Sequence, residues 1–79
     1  MPVQQVSIVS LEILLSCQQE GMAARGRGLG YDSNPFLARE KMPRTTGEPV
    51  SDWRQKAEAW LFGWLLEHAW SQTEAETPS

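Results

Sequence analysis

The sequence predicts an all-α protein: two helices joined by a long, ordered Gly/Pro-rich connector. Apolar residues recur at helical spacing near both ends of the chain, while three prolines and several glycines interrupt its middle. Size adds a third observation, because a chain this short buries only about 60% of the surface that its unfolded form exposes. We therefore expect one small domain, residues 1–79, that packs as a homodimer.

The first helix is predicted over residues 4–27. One helical face carries residues spaced by three and four positions: Val6, Val9, Ile13 and Cys17. A second apolar stripe carries Ile8, Leu11, Leu15 and Met22. A start at Ser10, whose side chain can cap the first amides, stays open as an alternative. Glycines at positions 26, 28 and 30 then end the helix.

The connector, residues 28–50, is predicted to be ordered despite its length. Asn34-Pro35 favours a turn, and Tyr31 and Phe36 on either side can hold the loop against a core. Long loops of this kind are either functional or disordered, and the aromatic residues indicate a functional, ordered loop.

The second helix is predicted over residues 51–70, with the polar, acidic stretch 71–79 as a disordered tail. One of its faces is expected to form the core: Trp53, Ala57, Trp60 and Trp64. The opposite face is also apolar: Phe62, Leu65, Leu66 and Ala69. A helix that is apolar on both sides is buried on both sides, and one partner helix covers only one of them. A two-fold dimer would cover the other.

Gly63 lies in the middle of this helix, where glycine costs about 0.5–1 kcal/mol relative to alanine. Its presence predicts that another backbone or a large ring approaches there. The residues predicted to be structural or to form the dimer are Trp53, Trp60, Phe62, Gly63, Trp64, Leu65 and Leu66.

Composition argues against several functional classes. With one cysteine, Cys17, and one histidine, His68, the chain can form no intramolecular disulfide and no Cys/His zinc set. Cys17 falls on an apolar face and His68 has no orienting carboxylate, so we expect no catalytic residue, no metal and no cofactor. The sequence shows neither a convincing export signal nor a membrane-spanning run, which predicts a cytoplasmic protein without membrane contact.

The net charge is −3, but the middle of the chain is basic. Residues 21–50 contain five Lys and Arg residues against three Asp and Glu residues. Arginines beside aromatic rings can contact phosphates and stack on bases. The residues predicted to bind a partner are Arg25, Arg27, Tyr31, Asn34, Phe36, Arg39 and Lys41.

Three short motifs, "EGMAARGRG", "NPF" and "AWLFGW", resemble the ribosome modulation factor family and its short bacterial and phage relatives. The matching positions are Gly21, Ala24, Gly26, Gly28, Asn34, Pro35, Phe36, Trp60, Gly63 and Trp64. They lie within about two thirds of the chain. The resemblance implies two helices with a long ordered connector. For the founding member it implies ribosome binding near the messenger's docking region and silencing of translation in stationary phase.

These features predict a non-enzymatic binding protein that inhibits or modulates a host macromolecule by covering a site, as phage and mobile-element inhibitors do. The acidic net charge and the apolar helix faces favour a host protein as the target. The alternative is a ribosome-binding translation or hibernation factor that contacts rRNA through the basic, aromatic connector. The sequence leaves the identity of the target open.

Overall fold

The computed structural model describes residues 9–76, with side chains described through residue 73. This part of the chain contains two long helices and no strand, which confirms the predicted all-α class. Helix α1 comprises Leu11–Gly26, α2 is the single turn Pro43–Thr46, and α3 comprises Val50–Glu76. Between α1 and α2, the connector forms three 3-10 turns, Tyr31–Ser33, Pro35–Leu37 and Arg39–Lys41. The prediction that the connector is ordered is confirmed.

Helix α1 begins where Ser10 caps it. Ser10 has an extended backbone, and its side-chain oxygen accepts a hydrogen bond from the amide of Ile13 at 3.2 Å. Residues 9 and 10 are not helical, so the predicted start near residue 4 is wrong and the start at Ser10 is correct. Residues 4–8 of the predicted helix lie outside the described residues. At the other end, Gly28 adopts a left-handed backbone conformation (φ 85°) that favours glycine and turns the chain into the connector.

Helix α3 is longer than predicted. It begins at Val50 and continues past Trp70 to Glu76, so the predicted disordered tail is wrong for residues 71–76. The stretch after Trp70 contains no glycine or proline before Pro78, and its Gln, Glu and Ala residues are good helix formers. Thr73 also donates a hydrogen bond from Oγ1 to the carbonyl of Ala69 at 3.0 Å. Residues 77–79 lie outside the described part.

The two long helices lie side by side and point in the same direction. The carbonyl of Gln18 approaches Gly63, and Arg25, further along α1, bonds to His68, further along α3. The last turn of α1 therefore lies further along α3 than the middle of α1 does. Parallel neighbours cannot be joined by a short loop, which explains why the connector is long.

The connector runs back along α3, opposite in direction to the helix. Three hydrogen bonds define its path: Leu29 O with Trp64 Nε1, Asn34 Nδ2 with Ala57 O, and Phe36 O with Trp53 Nε1. As residue numbers rise in the connector, those of its partners on α3 fall. The connector thereby returns the chain to the end of the molecule at which α3 begins.

The contact between α1 and α3 depends on two glycines. A Cβ atom on Gly21 would overlap the carbonyl oxygen of Trp60, and one on Gly63 would overlap the carbonyl oxygen of Gln18. The prediction that a backbone approaches Gly63 is confirmed. That backbone belongs to α1 of the same chain. Gly63 therefore lies in the contact between α1 and α3, which we call the seam, and it offers no surface to a second copy.

The core lies along this seam, and its members are Cys17, Ala24, Ala57, Trp60 and Trp64. The α3 members follow the predicted tryptophan stripe, and Trp53 is half-buried. On α1 the outcome is divided, because Cys17 of the predicted stripe is buried, whereas Ile13 of the same stripe is 47% exposed. The buried positions of α1 are all small residues, Cys17, Gly21 and Ala24, which let the two backbones approach closely.

Candidate functional site

The structure divides the predicted partner-binding residues between two places. Arg27 and Tyr31 lie where α1 ends, whereas Arg39 and Lys41 lie in the last 3-10 turn, near the start of α3. Between its contacts with Trp64 and Trp53, the connector runs about 16 Å along α3 at roughly 1.5 Å per residue. The basic residues that appear as one group in the sequence therefore form two groups in space.

Asn34 and Phe36 hold the connector in place. Asn34 is buried; its amide nitrogen donates to the Ala57 carbonyl at 3.0 Å, and its oxygen accepts from the Phe36 amide at 3.0 Å. The half-buried Phe36 ring packs against the core, with the Lys56 ammonium 5.8 Å from its centroid. Both predicted partner contacts are thus engaged within the chain.

Arg25 links the last turn of α1 to the second half of α3. Its Nε donates to His68 Nδ1 at 3.0 Å, and its guanidinium carbon lies 5.8 Å from the centre of the Trp64 ring. The His68 ring stacks on Trp64 at 4.9 Å with an interplanar angle of 12°, while Tyr31 meets Trp64 edge-on at 5.7 Å. Arg25 and His68 therefore stabilise the seam.

Cys17 packs in the core as a small hydrophobic residue. It is 6% exposed, and burial, with a smaller contribution from the charge of Glu20, raises the pKa of its thiol above the ordinary value of about 9. The thiol is consequently protonated at neutral pH. Across residues 9–76, no group of three or more His, Cys, Asp and Glu side chains is placed to hold a metal ion. No helix in that range is long and apolar enough to cross a bilayer.

The first candidate interaction surface is the side of α3 that faces away from α1. We call it the outer face and define it by Phe62, Leu65, Leu66 and Ala69. Phe62 is 54% exposed, Leu65 47% and Leu66 41%, and the neighbouring Trp70 is 63% exposed. A cluster of exposed apolar side chains on one helix face marks an interaction surface. Of the predicted dimer residues, Trp60 and Trp64 are inside the core, and the outer-face residues are the ones available to a partner.

The second candidate surface is a groove between the connector and the first turn of α3, which we call the connector groove. Its volume is about 900 Å³. Its apolar walls come from Leu37, Met42, Pro43, Val50 and Trp53, and its polar margin from Arg39, Arg44 and Thr45. The connector and α3 meet there because Trp53 Nε1 donates to the Phe36 carbonyl at 2.7 Å.

The sequence indicates Arg39 as a partner-binding residue and Arg44 as part of the basic stretch around the aromatic connector. It gives no signal for Leu37 and Val50, because single apolar residues in a loop or at a helix start are ordinary. They become neighbours only when the connector returns along α3.

Most residues that carry the family resemblance have structural roles here. Gly21 and Gly63 permit the close helix contact, Asn34 fixes the connector, and Trp60 and Trp64 form the core. No protein-family model, curated protein or solved structure matches the chain.

Proposed function

We propose that this protein is a non-enzymatic binding protein that pairs with a second copy through the outer face of α3 and inhibits or modulates a host macromolecule by covering one of its sites. The observation that carries the proposal is the outer face itself. Its large apolar side chains are exposed in a chain whose core is already closed by α1 and the connector.

The contacts of the basic residues favour a protein target over a nucleic acid. Arg25 is engaged with His68 and Trp64, and Phe36 lies half-buried beneath Lys56. The remaining cations are divided between two ends of the connector, in a chain with a net charge of −3. This arrangement lacks the continuous basic track that nucleic-acid backbones require.

The internal contacts also suit a protein that acts by covering a site. The glycine contact and the hydrogen bonds of Asn34, Trp53 and Trp64 fix the surface of the folded chain. A preformed surface binds without a large cost of ordering. Such a protein, acting in the cytoplasm, blocks its target by occupying the place of the normal partner, and no covalent bond changes.

Ribosome binding is the second candidate. Arg27 and the 61%-exposed Tyr31 lie together at one end of the connector, and Arg39 and Lys41 are exposed at the other. The resemblance to the ribosome modulation factor family supports this reading. Binding through these cations would weaken steeply as salt rises, because phosphate contacts release counterions.

Affinity capture from a bacterial lysate, with and without nuclease, separates the two candidates. The bait is the full chain, compared with Leu65→Glu on the outer face and with Gln19→Glu, an exposed site on α1 with the same charge change. The proposal expects a protein that survives nuclease, is recovered with the wild type and Gln19→Glu, and is reduced with Leu65→Glu, because the paired form is the one proposed to cover the target. Recovery of ribosomal components alone, lost with nuclease or at high salt, would favour the second candidate and contradict the first.

A further inference from the structure

We infer that the connector groove docks an acidic segment of a partner protein, with apolar side chains between the walls and carboxylates against Arg39 and Arg44. The inference rests on the proposed function and adds the chemistry of the partner to it. It assigns the groove to the target and the outer face of α3 to the second copy.

The walls of the groove suit apolar side chains. Leu37 is 47% exposed and Val50 52% exposed, although both lie beside the half-buried Met42, Pro43 and Trp53. A volume of about 900 Å³ exceeds what a single side chain fills. The groove therefore has room for several residues of a docked segment, whose apolar groups would cover Leu37 and Val50.

The charges at the groove are complementary to carboxylates. Arg39 and Arg44 line it, Lys41 lies between them in the chain, and none of the three forms an ion pair within the described residues. Three carboxylates belong to the same segments. Glu48 is paired with Lys56 at 2.9 Å, and neither Glu40 nor Asp52 forms an ion pair with Arg39 or Arg44. Arginine binds carboxylates through two parallel hydrogen bonds, which gives direction as well as attraction.

Several contacts hold the groove open before any partner binds. The Trp53–Phe36 hydrogen bond fixes one wall, and the Glu48–Lys56 pair fixes the chain that enters α3. Gly47, with φ of 80°, ends α2 and donates its amide to the carbonyl of Pro43 at 2.7 Å. A segment that docks there meets a formed surface.

The same residues disfavour a nucleic acid in this groove. Single strands bind by stacking their bases on exposed aromatic faces. The walls here are mainly aliphatic, and the indole nitrogen of Trp53 is occupied by Phe36. Tyr31, which is the exposed tyrosine, packs against Trp64 at the far end of the connector.

The test is a selection of random twelve-residue peptides displayed on phage, with the immobilised full chain as the target. Recovered peptides are then titrated by fluorescence anisotropy. We expect enrichment of peptides in which Asp or Glu alternates with Leu, Ile or Phe. The double variant Arg39→Glu/Arg44→Glu should weaken their binding at least tenfold, and Val50→Asp should weaken it by removing an apolar wall.

The matched control is Ser16→Glu/Gln19→Glu/Arg54→Glu, which makes the same total charge change at exposed positions outside the groove and should bind as the wild type does. Circular dichroism establishes that all variants are folded. The inference is overturned if no peptide is enriched, if enriched peptides lack acidic residues, or if the groove variant and the control bind them equally. A random RNA pool is selected against the same chain in parallel. If RNA is retained only when Arg39 and Arg44 are present, and acidic peptides are not enriched, the groove binds nucleic acid instead.

Sedimentation of the same variants separates this inference from the proposed function. The groove variants should self-associate as the wild type does, because they leave the outer face intact. A chain that self-associates but enriches no acidic peptide contradicts the groove inference alone. A monomeric chain that binds acidic peptides through Arg39 and Arg44 contradicts the proposed pairing and leaves the groove inference standing.

Discussion

The inner face of α3, which packs against α1 and the connector, and the outer face of α3 are both apolar. They differ in the contacts that hold their side chains. On the inner face, the indole nitrogens of Trp53 and Trp64 donate to the Phe36 and Leu29 carbonyls at 2.7 and 2.8 Å, and Gly63 fits against the backbone of α1. The outer face has no close glycine contact, and its side chains, such as Phe62, Leu65 and Leu66, cannot form hydrogen bonds. Shape and hydrogen bonding specify the inner face, whereas only hydrophobicity characterises the outer one.

This difference separates folding from binding within one helix. Contacts that require a fixed geometry stabilise the single chain, and Phe62 and Leu65, which have no such requirement, are exposed. Changes to the inner face should therefore alter the free energy of unfolding. Changes to the outer face should alter association while the fold persists.

The largest effect on stability is expected at the glycine contact. Gly63→Ala places a methyl group against the carbonyl of Gln18, and we expect the free energy of unfolding to fall by about 3 kcal/mol. Gly26→Ala is the matched control, because a Cβ atom there meets nothing within 4 Å. Urea denaturation followed by circular dichroism measures both. Equal stability of the two variants would show that the helices do not approach as closely as described.

A smaller loss is expected where the connector meets the inner face. Asn34→Ala removes one buried and one partly buried hydrogen bond, and it leaves the Phe36 amide without its acceptor. This change should lower the free energy of unfolding by about 2 kcal/mol. Hydrogen exchange of the Phe36 amide should accelerate as well. The comparison is Ser33→Ala, an exposed position whose hydrogen bond to Gly30 is local. A connector that stays protected in Asn34→Ala would show that other contacts hold it.

The smallest effect concerns Cys17 at alkaline pH. Burial raises the pKa of its thiol in the folded chain above the ordinary value of about 9. The resulting stabilisation is fully present below that ordinary value and is lost as pH rises through the folded value. Stability of the wild type should therefore decline more steeply above about pH 9 than that of Cys17→Ala, when urea unfolding is followed at a series of pH values. Parallel pH profiles for the two proteins would mean that the thiol is not buried in solution.

Much of the inner face could be predicted from the sequence. The tryptophans recur at helical spacing, Asn34-Pro35 is a turn signal, and Ser10 is a capping residue, so periodicity and local chemistry are sufficient. The packing face of α1 was harder to predict, because its residues are small. Hydrophobic periodicity emphasises large residues such as Ile13, whereas close helix contacts select glycine and alanine.

The binding surfaces depend on information that local patterns lack. Periodicity does not reveal that α1 and α3 are parallel, nor that the connector returns along α3. Arg27 and Arg39 therefore seemed to belong to one patch, although the connector separates them. The extension of α3 beyond Trp70 is hard to predict for another reason. The polar composition of this stretch indicates disorder, although the stretch contains no helix breaker before Pro78.

The mass of the purified chain in dilute solution tests most directly whether the outer face of α3 is covered by a second copy. Light scattering at micromolar concentration should give about twice the chain mass of 8.9 kDa for the wild type, and the single mass for a folded Leu65→Glu variant. A wild-type chain that is fully folded at the single mass, with its tryptophan emission already that of shielded rings, would contradict the proposed pairing.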